Sequence, residues 1–161
     1  MNVVDSVILG NISGSDGAIY LNGGTLSTKS IVKGEGAGKV EFYGGTLKAT
    51  AAGTLIGSGL TVNVPSGYTG TIDTSGFDVT VESAVGGSGT LNIVGSGKVT
   101  FATMPGCRVL SADDTPYVFP VPTFTGSAAV PVTGTTVQTG RSRRAVPRRT
   151  SILMREMPWL R

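Results

Sequence analysis

Two similar octets, which share their last four residues, GGTL, stand near the start of this 161-residue chain. The first, IYLNGGTL, occupies residues 19–26, and the second, VEFYGGTL, occupies residues 40–47. Each octet begins with a triplet whose first and third residues are apolar, and two glycines follow after one further residue. This is the pattern of a short strand that ends in a turn. A strand and turn that return after about 20 residues are typical of a solenoid, in which each period forms one coil.

The apolar triplet that begins each octet recurs along the chain at a nearly constant spacing. Its five copies start at positions 19, 40, 60, 79 and 99, so successive steps agree to within two positions. Because strand side chains alternate, the first and third residues of each triplet face the same way, and stacked coils would bring them into interior ladders. The five triplets predicted to stack are Ile19–Leu21, Val40–Phe42, Leu60–Val62, Val79–Val81 and Val99–Phe101.

A second set of apolar residues falls between the triplets. Ile31 and Ile72 lie two periods apart, Leu91 follows after one more period, and Leu55 or Ala52 fills the gap. The sequence therefore predicts at least two strands in each period, joined by glycine turns.

The composition also favours an all-β fold. The chain has 25 glycines, and only 14% of its residues are charged, against about a quarter in ordinary globular chains. We predict a parallel β-helix of about four coils over residues 10–103, followed by a C-terminal tail that does not repeat. The main alternative is a β-sandwich of hairpins, which would also place turns about every 8–12 residues but does not require the same triplet to return once per coil.

The sequence changes character after residue 103. Seven of the eight prolines lie at or beyond Pro105, and the net charge is −3 over residues 1–140 but +6 over residues 141–161. We therefore divide the chain into a β-helix repeat region (1–103), a Pro/Thr-rich cap or linker (104–140) and a basic tail (141–161).

The basic tail, which includes RSRRAVPRR at residues 141–149, has several interpretations. It is a segment that binds nucleic acid or another anionic surface, a disordered tail, or sequence translated out of frame. A short helix in SILMREMPWL (151–160), before Pro158, that docks on an exposed coil edge is a further alternative. Because Trp159 is the only aromatic residue in the tail, we expect no nucleic-acid partner and a tail outside the folded unit.

Residues that carry chemistry are sparse. The chain has no histidine, so its single cysteine, Cys107, lacks the base that a nucleophile needs, and it has no partner for an intrachain disulfide. Asp73, Asp78 and Glu82 lie close in sequence, but a lyase groove would also place basic residues on the same face, and the first arginine is Arg108. We predict no catalytic, cofactor-binding or metal-binding residues, no cofactor and no enzymatic activity.

Three other patterns fit binding motifs poorly. GEGAGK at residues 34–39 lacks the Ser/Thr and the helix of a phosphate loop, so we predict a turn between coils. GSDG at residues 14–17 lacks the calcium-binding glycine–aspartate repeat. An ice-binding face would need a flat Thr-x-Thr array, but the predicted outward triplet positions are only partly threonine. These positions are Tyr20, Glu41, Thr61, Thr80 and Thr100.

The chain also lacks signals for membrane insertion. No apolar run approaches the length of about 18 residues that a membrane-spanning helix needs, so we predict no transmembrane segment. The N-terminal stretch, MNVVDSVILG, lacks the basic region of a secretory signal, and Asp5 interrupts its apolar run.

Residues 60–101, LTVNVPSGYTGTIDTSGFDVTVESAVGGSGTLNIVGSGKVTF, resemble the autotransporter-associated β-strand repeat. The likeness rests on IDTSGFDVTV, on the following Gly/Ser loop and on GSGTLNIVGSGKVTF, and LNGGTL and YGGTL extend it over about residues 10–103. The resemblance implies a right-handed parallel β-helix outside a Gram-negative bacterium, and it brings no catalytic residues. We expect the family's signal peptide and membrane barrel to lie outside this chain.

The function expected from these observations is a non-enzymatic structural or adhesive repeat module of an exported or surface protein, as a fragment of a longer passenger. The expected location is extracellular or on the bacterial cell surface. The expected partners are host or cell-surface glycans or proteins, or neighbouring β-helix coils. The alternatives are a carbohydrate-active β-helix, polysaccharide-binding or lyase-like, and then an ice-binding β-solenoid.

Overall fold

A computed structural model describes residues 1–3, 5–111 and 115–120, together with the backbone of residues 137–138. All regular secondary structure in this part of the chain is β-strand. In chain order they are β1 (Ser6–Leu9), β2 (Asp16–Leu21), β3 (Thr25–Thr28), β4 (Ser30–Lys33), β5 (Ala37–Phe42), β6 (Thr46–Ala49), β7 (Gly53–Ile56), β8 (Thr61–Asn63), β9 (Thr69–Asp73), β10 (Val79–Val81), β11 (Val85–Gly86), β12 (Thr90–Val94), β13 (Val99–Phe101), β14 (Arg108–Ser111), β15 (Tyr117–Val118) and β16 (Val137–Gln138).

The strands form three sheets, and successive strands of one sheet come from successive coils. Sheet I contains β1, β4, β7, β10, β13, β15 and β16, sheet II contains β2, β5, β8 and β11, and sheet III contains β3, β6, β9, β12 and β14. The pairs are parallel except that β16 runs antiparallel to β15. The predicted all-β parallel solenoid is therefore confirmed. It has about five turns rather than four, because sheet I already begins at Ser6, upstream of the first octet.

The two octets form the same corner in the first two coils. Ile19 pairs with Val40 in sheet II, and Leu26 pairs with Leu47 in sheet III, so the offset between the octets holds across the corner. The turns are made by glycines with positive φ, a conformation that side chains with a Cβ rarely adopt; the first octet uses Gly23 and Gly24. This part of the predicted register is confirmed.

The later triplets do not continue the same ladder, and the prediction that all five stack is wrong. Val40 pairs with Val62 rather than with Leu60. Strands β10 and β13, which hold the last two triplets, pair with each other in sheet I. The error has a physical cause: strands of all three sheets alternate in the same way, so a triplet does not reveal the sheet to which it belongs.

Each coil contains three strands, one more than the minimum that the second apolar set predicted. Ile31 lies in sheet I, whereas Ile72 lies in sheet III and pairs with Ile93 rather than with Leu91. The second set is therefore not a single ladder. The true coil length also varies, since the first three steps along sheet I are longer than the fourth. The aligned positions that define these steps are Val7, Ile31, Ile56, Val81 and Phe101.

The core is a column of apolar ladders enclosed by the three sheets. Burial alternates along the strands, as in β5, where Gly38, Val40 and Phe42 are buried and the residues between them are half-buried. The fully or nearly fully buried members of the ladders include Ile31, Ile56, Val81 and Phe101 in sheet I, Val40, Val62 and Val85 in sheet II, and Leu47, Ile72 and Ile93 in sheet III. Removal of these side chains from water is the main driving force for a fold of this kind.

Buried hydroxyl groups join the coils at several corners. Thr28 Oγ1 donates to the Asp5 carbonyl oxygen at 2.8 Å, and Ser83 Oγ donates to the Gly57 carbonyl oxygen at 2.6 Å. Ser83 Oγ also accepts from the Leu60 amide at 2.9 Å. These contacts satisfy backbone groups that the corners would otherwise leave buried without a partner.

The parallel pairing continues beyond residue 103, where the sequence analysis placed a cap or linker. Strand β14 extends sheet III to Ser111, and β15 extends sheet I to Val118. The basic tail (141–161) lies outside the described residues. So do residues 112–114, 121–136 and 139–140 of the predicted cap or linker. At the other end of the column, Val3 donates its amide to the Ser27 carbonyl oxygen, so residues 1–3 lie along the edge of β3.

Candidate functional site

The most distinctive surface of the described chain is the outer side of sheet II. We call it the tyrosine face. It consists of the outward residues of β2 and β5, of Thr61 in β8, and of Tyr43 and Tyr68 in the turns between sheets II and III. Its members are Asp16, Ala18, Tyr20, Ala37, Lys39, Glu41, Tyr43, Thr61 and Tyr68. The alternation of β2 and β5 brings these side chains to the surface, because their neighbours in sequence point into the core.

Three tyrosines form a row along the column, one from each of the first three coils. The ring centroids of Tyr20 and Tyr43 are 6.3 Å apart, and those of Tyr43 and Tyr68 are 4.9 Å apart in an edge-to-face arrangement. Tyr20 is 52% exposed and Tyr68 is 44% exposed, whereas Tyr43 between them is half-buried. The rings of Tyr20 and Tyr68 are therefore exposed to solvent, and both pack against the ring of Tyr43 between them.

A charged pair fixes the geometry beside the row. Lys39 Nζ lies 3.3 Å from Glu41 Oε1 and 4.9 Å from the centroid of the Tyr20 ring. The Tyr43 hydroxyl donates to Glu41 Oε2 at 2.6 Å. This hydrogen bond, and then Lys39, lowers the pKa of Glu41, and the same carboxylate raises the pKa of Tyr43. Hydrogen bonding to Tyr20, and to a smaller extent to Glu41, raises the pKa of Lys39.

An open groove of about 370 Å³ lies next to Tyr20 on this face. Ala18 and Ala37 form its floor, since their small side chains leave a depression between larger neighbours. Asp16, Tyr20, Lys39 and Thr61 line it and supply one carboxylate, one phenol, one ammonium group and one hydroxyl. The groove thus combines an apolar floor with polar groups that face a common space, which is the usual chemistry of a small-molecule site.

The three carboxylates that the sequence analysis weighed as a lyase site make separate local contacts. Asp73 Oδ1 accepts from the Ser75 amide at 2.8 Å, and its Oδ2 lies 3.7 Å from Lys48 Nζ. Asp78 Oδ1 accepts from the Lys98 amide at 2.9 Å, a contact between successive coils. Glu82 Oε1 accepts from Thr54 Oγ1 at 2.9 Å on the outer side of sheet I. Each carboxylate therefore supports its own turn or strand.

The threonines are arranged differently from the sequence expectation. On the outer side of sheet III, Thr69 and Thr71 occupy alternate positions of β9, which is a Thr-x-Thr pair. Thr71 pairs with Thr46, and Thr69 pairs with Thr90. Among the described strands of sheet III, only β9 has this Thr-x-Thr pattern, since Thr46 of β6 is followed on the same side by Lys48 and Thr90 of β12 by Asn92. The sequence analysis did not include these threonines, because it assumed a single ladder.

Cys107 and the GEGAGK motif, which the sequence analysis also considered, lie in the core and at a turn, respectively. The thiol of Cys107 is buried in the core, and burial raises its pKa. Residues 34–36 of GEGAGK form the turn between β4 of sheet I and β5 of sheet II. No group of three His, Cys, Asp or Glu residues that could hold a metal ion occurs in the part of the chain that the structure describes.

The chain matches no protein-family model, no curated protein and no solved structure. Within the described ranges, no helix is both long and apolar enough to span a lipid bilayer. The fold therefore rests on the geometry of its own strands, and it defines the class of the protein as a parallel β-solenoid.

Sequence reasoning missed the tyrosine face. Tyr20 was predicted to face outward, but Tyr43 and Tyr68 were not connected with it. The three tyrosines lie farther apart in sequence than the predicted period. A search for aromatic residues at the longer steps that a three-strand coil allows would have found the row.

Proposed function

We propose that this chain is a non-enzymatic structural repeat module that lengthens a larger passenger, outside the cell or on its surface. The observation that carries the structural part is the set of continuous interior ladders across about five coils, joined by corner hydroxyls. A stack of this kind is a rigid spacer, because each coil is held by its two neighbours over three sheets.

Export and surface location rest on the resemblance of residues 10–103 to the autotransporter-associated β-strand repeat. The low charge content and the lack of histidine agree with a scaffold role. The local use of Asp73, Asp78 and Glu82 supports the non-enzymatic part of the proposal, since their contacts stabilise turns and strands.

Protease treatment of intact cells that express the native gene with an epitope inside an exposed turn tests the location. We expect the epitope to be removed by external protease while a cytoplasmic marker stays intact. Protection of the epitope in intact cells, with cleavage only after lysis, would overturn the surface and export parts of the proposal. A screen on acidic polysaccharides, with and without calcium, tests the alternative of a lyase, and cleavage lost in Asp73→Ala would favour the enzyme.

A second candidate function, ice binding, is supported by the threonines on sheet III. Thr25, Thr46 and Thr71 stack in one column, and Thr69 and Thr90 form a second. Stacked threonines hold hydroxyl and methyl groups at the strand spacing of about 4.8 Å, which suits an ordered layer of water. The ion pair of Lys48 and Asp73 occupies the next column and limits the width of the array.

Measurement of thermal hysteresis and of ice recrystallisation separates this candidate from a plain scaffold. Activity that is lost in Thr71→Tyr and kept in Thr100→Tyr, on the outer side of sheet I, would support ice binding. Ordinary freezing behaviour of the unmodified chain at the same concentration would exclude it.

A further inference from the structure

We propose that the tyrosine face binds a neutral polysaccharide, with one hexopyranose unit in the groove beside Tyr20. This inference goes beyond the structural role, because a spacer needs neither an exposed aromatic row nor a groove on one of its sheets.

Tyr20 presents an exposed aromatic ring on this face. The apolar face of a pyranose ring packs well on an exposed aromatic ring that is held in place. Tyr20 is 52% exposed, and Lys39 Nζ lies over its ring at 4.9 Å from the centroid. The ring of Tyr43 packs beside it at a centroid distance of 6.3 Å, so the orientation of Tyr20 is held from the side of the second coil.

The groove supplies the complement to the hydroxyl groups of a sugar. Its volume, about 370 Å³, lies at the lower end of the range of small-molecule sites, which is about 300–1,000 Å³. Ala18 and Ala37 allow close approach, and Asp16 and Thr61 offer acceptor and donor groups at the rim. A carboxylate beside an aromatic ring is suited to accept hydrogen bonds from neighbouring sugar hydroxyls.

The charge of the face selects the class of polysaccharide. Asp16 and Glu41 are acidic and Lys39 is the only basic residue among the members of the tyrosine face, so its formal charge is negative. Lys39 is already paired with Glu41 at 3.3 Å. A polymer of uronic acids or a nucleic acid would meet like charge here, whereas a neutral polymer would not.

The length of the row indicates how a polymer would lie. Tyr20, Tyr43 and Tyr68 follow one another along the column, and Tyr68 is exposed at the far end. A chain seated in the groove would therefore continue along the column across Tyr68. Both exposed tyrosines are expected to contribute, and Tyr20 more than Tyr68, because only Tyr20 borders the groove.

Affinity electrophoresis of the full chain in gels that contain neutral glucan, mannan, galactan or soluble chitin derivatives tests the proposal. Gels with polygalacturonate and with alginate serve as the acidic comparison. We expect retardation by at least one neutral polymer and a loss of affinity of about tenfold or more in Tyr20→Ala, since an aromatic contact of this size is worth about one decade in the binding constant. Phe77→Ala is the matched control, because Phe77 is an aromatic residue of similar exposure, 37%, outside this face.

A second variant keeps the test valid if Tyr20→Ala disturbs folding. Ala18→Gln fills the groove floor without removing any ring contact, and it is expected to abolish retardation while the melting temperature stays within a few degrees. The proposal is overturned if none of the neutral polymers retards the chain, if only the acidic polymers do, or if Phe77→Ala weakens binding as much as Tyr20→Ala does.

Discussion

Val81 lies in the interior ladder of sheet I, where it pairs with Ile56 on one side and with Phe101 on the other, and its side chain is fully buried. Thr100 in the neighbouring strand is half-buried and points outward, as the alternating burial of β13 requires. The two positions are close together in space but face different environments. A charge placed at one has no partner, whereas at the other it meets water.

We expect Val81→Asp to lower the free energy of unfolding by about 3–5 kcal/mol or to prevent folding, the cost of an unpaired buried charge. Thr100→Asp should cost less than about 1 kcal/mol, as is usual for an outward substitution. Urea denaturation of both variants checks this. Equal losses of stability would contradict the register of sheet I.

The pKa of Glu41 provides a test at the same scale. The Tyr43 hydroxyl, and then Lys39, lowers this pKa in the folded state, so the contact stabilises the fold above the unfolded pKa, and this stabilisation is lost as the pH falls through the folded pKa. In Tyr43→Phe we expect the Glu41 pKa to rise toward its ordinary value, as measured by NMR titration of the side-chain carboxyl carbon. Tyr68→Phe is the control and should leave the Glu41 titration unchanged.

At the scale of elements, the corner between sheets II and III depends on glycines that face inward. The buried Gly70 in β9 packs on Phe42, and a Cβ added there would lie 2.5 Å from the Cβ of Phe42. Gly45 makes similar room for Leu21, where an added Cβ would lie 2.8 Å from the Leu21 Cβ. Large side chains thus fill the corner because the next coil contributes none at that point.

Gly70→Ala is therefore expected to reduce stability by about 1–3 kcal/mol through overpacking against a buried ring. Gly86→Ala is the matched control in another strand, because an added Cβ there meets the Val62 carbonyl oxygen at an ordinary 3.6 Å. This control should leave stability unchanged or raise it by up to about 1 kcal/mol. Thermal melts of the two variants would contradict the corner packing if they coincided.

The same elements show what the sequence could predict. The octets identified β2, β3, β5 and β6 with their turns. Glycine pairs mark the corner, and the offset between the two coils is the same in the strands on both sides of it. They could not assign β10 and β13 to sheet I, since alternation is identical in all three sheets. The tyrosine face was also hidden, because it depends on which strands are neighbours across coils of unequal length.

At the scale of the whole molecule, stability is expected to vary along the column. The pairing within each sheet joins a strand only to the strands of the preceding and following coils, so an inner strand is held on two sides. Among the strands that the structure describes, β1 pairs only with β4, and its Ile8 is 53% exposed. Local opening is therefore expected to begin at the end of the column that contains β1.

Hydrogen exchange followed by mass spectrometry measures this gradient. Peptides from β5, β8 and β9 should exchange most slowly, and peptides from β1 fastest among the strands of sheet I up to β13. Uniform protection across β1, β5 and β9 would show that the column opens only as a single unit, contrary to this expectation.

The turns between sheets II and III are equally short in the first, second and fourth coils, but the turn in the third coil is longer and runs from Val64 to Tyr68. Register in the flanking strands is kept in spite of this difference. Gly23, Gly44 and Gly67 in these turns have open space where a side chain would stand. The column is thus a natural display scaffold: foreign peptides grafted into successive corners would project from one edge at intervals close to the strand spacing, about 4.8 Å.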